Sequence, residues 1–302
     1  MEIREIEADE LETLVRIARA AQPREQATVG DFVDWRRQAE AMVWLLCERD
    51  GNAIGAGFAL TGWHTPPHRA IAAALVEPEA RGAGAGTAVL QALEAWARAR
   101  SATELDGPVQ EDDADSLAWT ERRGYVEVGR DSHLVLDLTA IEAPEPDPPS
   151  GIEIVTWADR PELAPGLYEV AREATPDIPG AEEDELGSLE EWLERDMGGA
   201  GDDPRAVFVA LAGDEVTGFA KFSLSSGNRE RAYHDLTGVR RAWRGRGIAA
   251  ALKRTQIAWA KNAGYTSLQT SNEARNEPIR RLNERHGYEV EPGTITVRGS
   301  LT

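Results

Sequence analysis

Two glycine-rich turns hold the residues of this chain best suited to chemistry. The first follows Val76 and reads Arg81-Gly82-Ala83-Gly84-Ala85-Gly86; the second follows Val239 and reads Arg244-Gly245-Arg246-Gly247-Ile248-Ala249. Each lies between a strand-like apolar run and a long helical pattern. A helix start offers unpaired N–H groups and the positive end of the helix dipole. Glycines let an anion approach that backbone closely, so such a turn can cradle a phosphate or diphosphate. A nucleotide P-loop does not fit, because neither turn ends in Gly-Lys-Ser/Thr. A Rossmann turn would belong to the first βα unit of its domain, whereas these turns follow a fourth strand.

The turns stand 163 residues apart (244 − 81), and the same offset relates Trp96 to Trp259, Leu105 to Leu268 and Gly124-Tyr125 to Gly287-Tyr288. The chain therefore reads as two copies of one domain, 1–140 and 152–302. Residues 141–151, with four prolines and several acids, form an extended linker between them. A length of 302 residues suits two domains.

Both copies predict one order of elements that would position the turn. A short strand (3–6; 152–156) precedes one or two helices (9–21; 161–174 and 188–197). Two strands follow, joined at Asp50-Gly51-Asn52 or Gly213-Asp214-Glu215. A third long strand leads into the turn, and a helix leaves it (84–100; 247–263), ended by Gly264 in the second copy. A strand, a short helix and a final pair of strands (within 126–138 and 289–297) complete each copy. The fold class is α/β, an α+β mixed sheet with helices on both faces, in two tandem domains.

The net charge of −20 argues against binding a nucleic-acid backbone, which needs concentrated Lys and Arg; it suits a cationic substrate or plain solubility. No run of 18 apolar residues implies a membrane span, and the start does not read as a signal peptide. The single cysteine, Cys47, sits in an apolar run and is expected to be a buried strand residue. A cytoplasmic location follows as the expectation. No metal site is expected, and the oligomeric state is open.

The pattern Arg-x-x-Gly-x-Gly/Ala after a strand ending in Val resembles the acyl-CoA loop of the GNAT superfamily of N-acetyltransferases. Asn276 to Tyr288 resembles that family's second block. The resemblance covers nearly the whole chain, and the tandem layout is similar to that of mycothiol synthase. It implies two GNAT-like domains and acetyl-CoA as co-substrate. The diphosphate would rest on Arg244, Gly245, Arg246, Gly247, Ile248 and Ala249, the pantetheine arm along Gly238 and Val239, and Asn276 on the cofactor. It implies direct attack by a primary amine, small-molecule or peptide. Asp235 and Tyr233, nine and eleven residues ahead of Arg244, stand where the family often carries its base. Alternation puts both on one strand face and His234, expected to be a packing or surface residue rather than a catalyst, on the other.

The first copy has Ala72 and Ala70 at the base positions and Asp113 in place of Asn276, which marks it as catalytically degenerate. Where many members carry a proton-donating Tyr, this chain has Thr120 and Asn283. Asn283 can donate a hydrogen bond to the leaving sulfur, and Tyr233 or Tyr288 could supply a proton. The segment 175–187, with Asp177, Glu182, Glu183, Asp184 and Glu185, corresponds to the family's acceptor rim. Two readings stand: an acetyltransferase working in the second copy, or a non-catalytic acyl-CoA-binding or scaffold protein.

Overall fold

The apolar run 42–47 forms a strand buried on both faces. Val43, Leu45 and Cys47 enter one core cluster, and Met42, Trp44 and Leu46 enter another. Residues 207–211 repeat this: Phe208 and Ala210 face one cluster, Val207, Val209 and Leu211 the other. Strands covered on both sides read as continuous apolar runs, and these two therefore demand helices above and below. Cys47 is buried and unbridged.

The computed structural model describes residues 1–24, 27–62, 65–178, 186–199, 201–224 and 230–302. In chain order the elements are β1 (Glu2–Glu5), α1 (Leu11–Ala21), α2 (Val29–Gln38), β2 (Ala39–Arg49), β3 (Asn52–Gly62), β4 (Arg69–Val76), α3 (Ala85–Arg98), β5 (Glu104–Gln110), α4 (Ala114–Glu121) and β6 (Val126–Asp137). They continue with β7 (Glu153–Thr156), α5 (Ala164–Ala174), α6 (Leu189–Asp196), β8 (Val207–Ala212), β9 (Glu215–Leu224), β10 (Arg231–Val239), α7 (Ile248–Asn262), β11 (Ser267–Glu273), α8 (Glu277–Arg285) and β12 (Glu289–Ser300). Residues 142–149 carry neither helix nor strand.

The chain divides into two compact units, and the division differs from a cut at 141–151. Unit 1 is Met1–Arg130 with Gly293–Thr302; unit 2 is Asp131–Pro292. The physical reason lies in the ends of the two copies. Where sequence predicts a final strand pair in each copy, the structure has one long strand, and its second part serves the other unit. Thr294–Ser300 of β12 pair with Glu104–Gln110 of β5 in unit 1. Asp131–Asp137 of β6 pair with Ser267–Glu273 of β11 in unit 2. Unit 1 thus has strand order β1-β2-β3-β4-β5-β12 and unit 2 has β6-β11-β10-β9-β8-β7. The exchanged β12 is pinned in unit 1 by Arg298, whose guanidinium donates to both oxygens of Asp106 at 2.6 and 2.7 Å. Tyr125 packs flat where Gly299 has no side chain: a Cβ there would lie 2.5 Å from the ring.

The strand set of each unit is mixed. Its one parallel pair among the described strands is β4 with β5 in unit 1 and β10 with β11 in unit 2. Each parallel pair registers over only three residues, and the pairing stops short of the glycine turn.

Candidate functional site

Both glycine turns have one backbone signature. Gly82 and Gly84 lie at φ 75° and 90°, Gly245 and Gly247 at 74° and 86°. A Cβ at Gly82 or Gly245 would meet nothing within 4 Å, so the demand there is conformational. Gly84 and Gly247 are the N-caps of α3 and α7, and no side chain caps either helix. The N–H groups of residues 245–250 donate to no described residue, and Ala251 is the first to bond back, to Gly247. These amides are arranged to receive an anion.

The two arginines of the second turn are held differently. Arg244 donates to the Val239 carbonyl at 2.9 Å and pairs with Asp177 at 2.7 Å. Asp177 also pairs with Arg241, and Arg241 first, then Arg244, holds its carboxyl at about 2. Arg246 is exposed, with its guanidinium 4.5 Å from the Trp243 ring centroid. Ile248 is buried under the turn and Ala249 half-buried. Gly238 and Val239 are buried at the end of β10; a Cβ on Gly238 would press at 3.2 Å on both Val170 and Ala174 of α5. Asn276 is the N-cap of α8 without a side-chain cap bond.

Upstream in β10 the pairing with β9 slips. His234 faces Phe222 while Thr237 faces Ala220, so Asp235 and Leu236 together oppose Lys221. This is a β-bulge, a device that re-aims side chains and frees backbone groups. β4, the counterpart in unit 1, pairs with β3 without a slip. Asp235 is 45% exposed and accepts from Lys221 at 2.9 Å. Lys221 is buried and also donates to Asp202 at 2.9 Å. Burial alone would lower Lys221, but the Asp235 and Asp202 carboxylates outweigh it and hold the ammonium above its ordinary range. Tyr233 is partly exposed, and its hydroxyl accepts from the Ser271 N–H at 3.2 Å.

On the other face of β10, His234 is buried between Gln256 (3.1 Å) and the Tyr288 hydroxyl. With the Gln256 oxygen as acceptor, Nδ1 carries the proton and Nε2 accepts from Tyr288. Burial, reinforced by nearby Lys253, keeps this imidazole neutral. Tyr288 is therefore engaged, and burial raises its hydroxyl well above the ordinary range. Asn283 is fully buried; its amide donates to Asn272 at 2.8 Å, and its own oxygen has no partner. The structure thus brings Tyr233 and Asp235 to the exposed face of one bulged strand, and sets Asn283 inside α8 against the end of β11. Of the acidic rim, Asp177 serves the loop, and Glu182, Glu183, Asp184 and Glu185 lie outside the described residues.

In unit 1 a cavity of about 610 Å³ opens over the turn, lined by Ala72, Val76, Gly84, Gly107, Gln110 and Trp119 among others. Asp113 is committed there: it caps α4 at Ser116 (3.0 Å) and pairs with Arg81 at 3.3 Å. Arg123 donates to Thr87 in the first turn of α3 at 2.8 Å. Sequence reasoning missed this cavity, the bulge and the role of Lys221. A lysine inside the apolar run 216–222 was the available signal for the last.

The model of the "Acetyltransferase (GNAT) family" matches residues 2–125 and 165–288, two stretches again 163 residues apart. A GCN5-related N-acetyltransferase from Sphaerobacter thermophilus superposes with a TM-score of 0.79 at 22% identity, over 99% of this chain and 95% of that one. A tandem GNAT protein from the clavulanic acid biosynthesis pathway gives 0.81 at 20% identity, over 100% and 98%. No curated protein matches the chain.

Proposed function

From the premise that the chain belongs to the GNAT acetyltransferase family, we propose that it acetylates a primary amine and that transfer takes place in unit 2. The family implies an acyl-CoA co-substrate and an amine acceptor. The observation that carries the finer reading is the bulge in β10, which turns Asp235 outward beside Tyr233; the matching strand of unit 1 is unbulged and has Ala70 and Ala72. The α7 amides beside Gly245 and Gly247 would hold the diphosphate, with Arg246 and Asn276 near it and Gly238 and Val239 along the pantetheine arm.

The acceptor's ammonium, with a pKa near 10.4 for a lysine-like amine, must lose a proton before it attacks. Asp235 takes that proton directly or through water. The nitrogen then bonds to the thioester carbonyl carbon, the C–S bond breaks as the thiolate leaves, and the nitrogen gives up its second proton to solvent to become the amide. Tyr233, whose hydroxyl accepts from the Ser271 N–H, gives a proton to the sulfur and regains one from solvent. Tyr288 is unsuited to that step because His234 holds it. Asn283 acts by donating toward the sulfur through the amide N–H that its bond to Asn272 does not use.

A second reading has a specific observation behind it: the cavity over the unit 1 turn, with no base at Ala70 or Ala72, suits acyl-CoA held without transfer. One experiment tests both. Acetyl-CoA binding by calorimetry and CoA release with an amine panel are measured for Gly247→Val and Gly84→Val. The proposal requires Gly247→Val to abolish release. If only Gly84→Val abolishes it, transfer belongs to unit 1.

A further inference from the structure

The bulge in β10 is one residue that β4 does not have. In unit 1, Ala70 stands opposite Leu105 and Val76 opposite Gly55, six positions further on. In unit 2, Ala232 stands opposite Leu268 and Val239 opposite Gly218, seven positions further on. Leu105 and Leu268, like Gly55 and Gly218, are 163 residues apart, so the two stretches have equivalent ends. By pairing, the counterpart of His234 is Ala72: His234 faces Phe222, and Ala72 faces Ala59, 163 positions before Phe222. An extra residue inside a strand needs a fixed place. A slip of one position would turn His234 outward and Asp235 inward.

His234 is tied to three other segments of unit 2. Its ring is buried, with its centroid 4.5 Å from that of Phe222. Nδ1 bonds to Gln256 of α7 at 3.1 Å, and Nε2 to the Tyr288 hydroxyl just before β12. The His234 carbonyl accepts from the Thr270 hydroxyl of β11 at 3.3 Å. Gln256, Thr270 and Tyr288 are themselves buried. The two ring bonds cannot survive a slip that turns His234 to the surface, so they oppose it. Unit 1, without the bulge, is without these anchors. Leu93 and Gly107 stand 163 positions before Gln256 and Thr270. Tyr125, 163 positions before Tyr288, donates its hydroxyl to Glu94 at 3.1 Å instead. Bulge and anchors are present together in one copy and absent together from the other.

Resting on the reading that transfer runs in unit 2, we infer that His234 is a positioning residue for the base. Its ties to Gln256, Thr270 and Tyr288 fix the register of β10, and that register holds Asp235 outward beside Lys221, where it takes the proton of the amine. His234 itself stays in the core and acts only through Asp235.

The test uses the full chain and acetyl-CoA, with propylamine, putrescine and lysine as acceptors. Tyr288→Phe and Gln256→Leu each remove one ring bond at nearly constant volume; His234→Ala removes both. Each single-bond variant should lower kcat about tenfold, the size expected of one buried hydrogen bond acting on the register, and leave the acetyl-CoA KM unchanged. His234→Gln should recover part of what His234→Ala loses. In an Asp235→Asn background the same substitutions should cost less than about twofold, because residues that act through one another are not additive. A residue that only supports the fold would cost the same factor in both backgrounds. Hydrogen exchange reads the register without an acceptor: Arg231–Val239 should exchange about tenfold faster in Tyr288→Phe, with Val207–Ala212 unchanged. Tyr288→Phe keeps the packed ring, so it decides the matter if His234→Ala does not fold. Full additivity, an unmoved kcat or unmoved exchange would overturn the inference. If Asp235→Asn leaves kcat intact, or no amine is turned over, the reading of unit 2 falls and this inference with it. If Asp235→Asn lowers kcat and Tyr288→Phe costs the same factor in both backgrounds, only the inference about His234 falls.

Discussion

Asp235 and Lys253 are charged groups of unit 2 in opposite situations, and each makes a test. Asp235 is half-exposed and paired, so Asp235→Asn should fold normally. Loss of general-base assistance typically costs about 100- to 10,000-fold. We expect the neutral-pH rate to drop within that range and to recover partly at high pH, where more of the amine is free; stopped-flow or coupled detection of CoA release across pH 6–10 (about the range for free amine to appear) would show it. Lys253 is fully buried on α7, has no hydrogen bond or ion pair among the described residues, and sits 5.4 Å from the Tyr288 ring centroid. Burial lowers its ammonium from 10.5 to about 7. A depressed lysine favours the unfolded state, which is charged where the folded state is neutral. The destabilisation is complete below about 7 and fades as pH rises toward 10.5. Lys253→Met should therefore stabilise the protein at neutral pH, by up to about 3–5 kcal/mol. The gain should shrink between pH 7 and 10.5. Chemical denaturation at both ends of that window checks it, and a constant gain would point to packing instead.

The elements at stake are the glycine turn and the bulged strand. Gly84 and Gly247 sit in the left-handed region as N-caps, where a β-branched residue is strained. Gly247→Val and Gly84→Val should each cost about 1–3 kcal/mol of local strain. Gly247→Ala should bind acetyl-CoA more weakly than wild type and more strongly than Gly247→Val, by calorimetry. These turns were legible in the sequence because only glycine serves their φ, and a repeat of 163 residues doubled the signal. So was the buried strand that holds Cys47, as an apolar run; His234 read only as a packing or surface residue. The bulge was not, because the slip between His234 and Thr237 depends on how β9 pairs and leaves no mark on the residues of β10. Asn283 read as a donor from its place in the second block, but its burial and its bond to Asn272 depend on where α8 packs.

At the scale of the whole chain, the repeat and the compact units do not coincide. Sequence similarity records where each copy begins and ends; strand pairing decides which unit a segment completes, and β6 and β12 each change allegiance part-way. Removing Gly293–Thr302 from the C-terminal end of this sequence should therefore damage the N-terminal unit. We expect hydrogen exchange of that variant to show lost protection across Glu104–Gln110, while Ser267–Glu273, paired with β6, stays protected. The reverse pattern would contradict the exchange.

The order in which these residues leave the ribosome gives Arg298 another significance. Chains generally fold domain by domain as they are made, N-terminal part first. Here β5 must wait for a partner made almost two hundred residues later, since Arg298 and Asp106 are 192 positions apart. At roughly 5–20 residues per second, that wait is on the order of 10–40 seconds. Until then the nascent first unit presents an open strand edge, the kind of surface that pairs with other chains. The protein's most exposed moment therefore comes during its own synthesis, and a helper that shields strand edges on the ribosome would act on unit 1 before unit 2 exists.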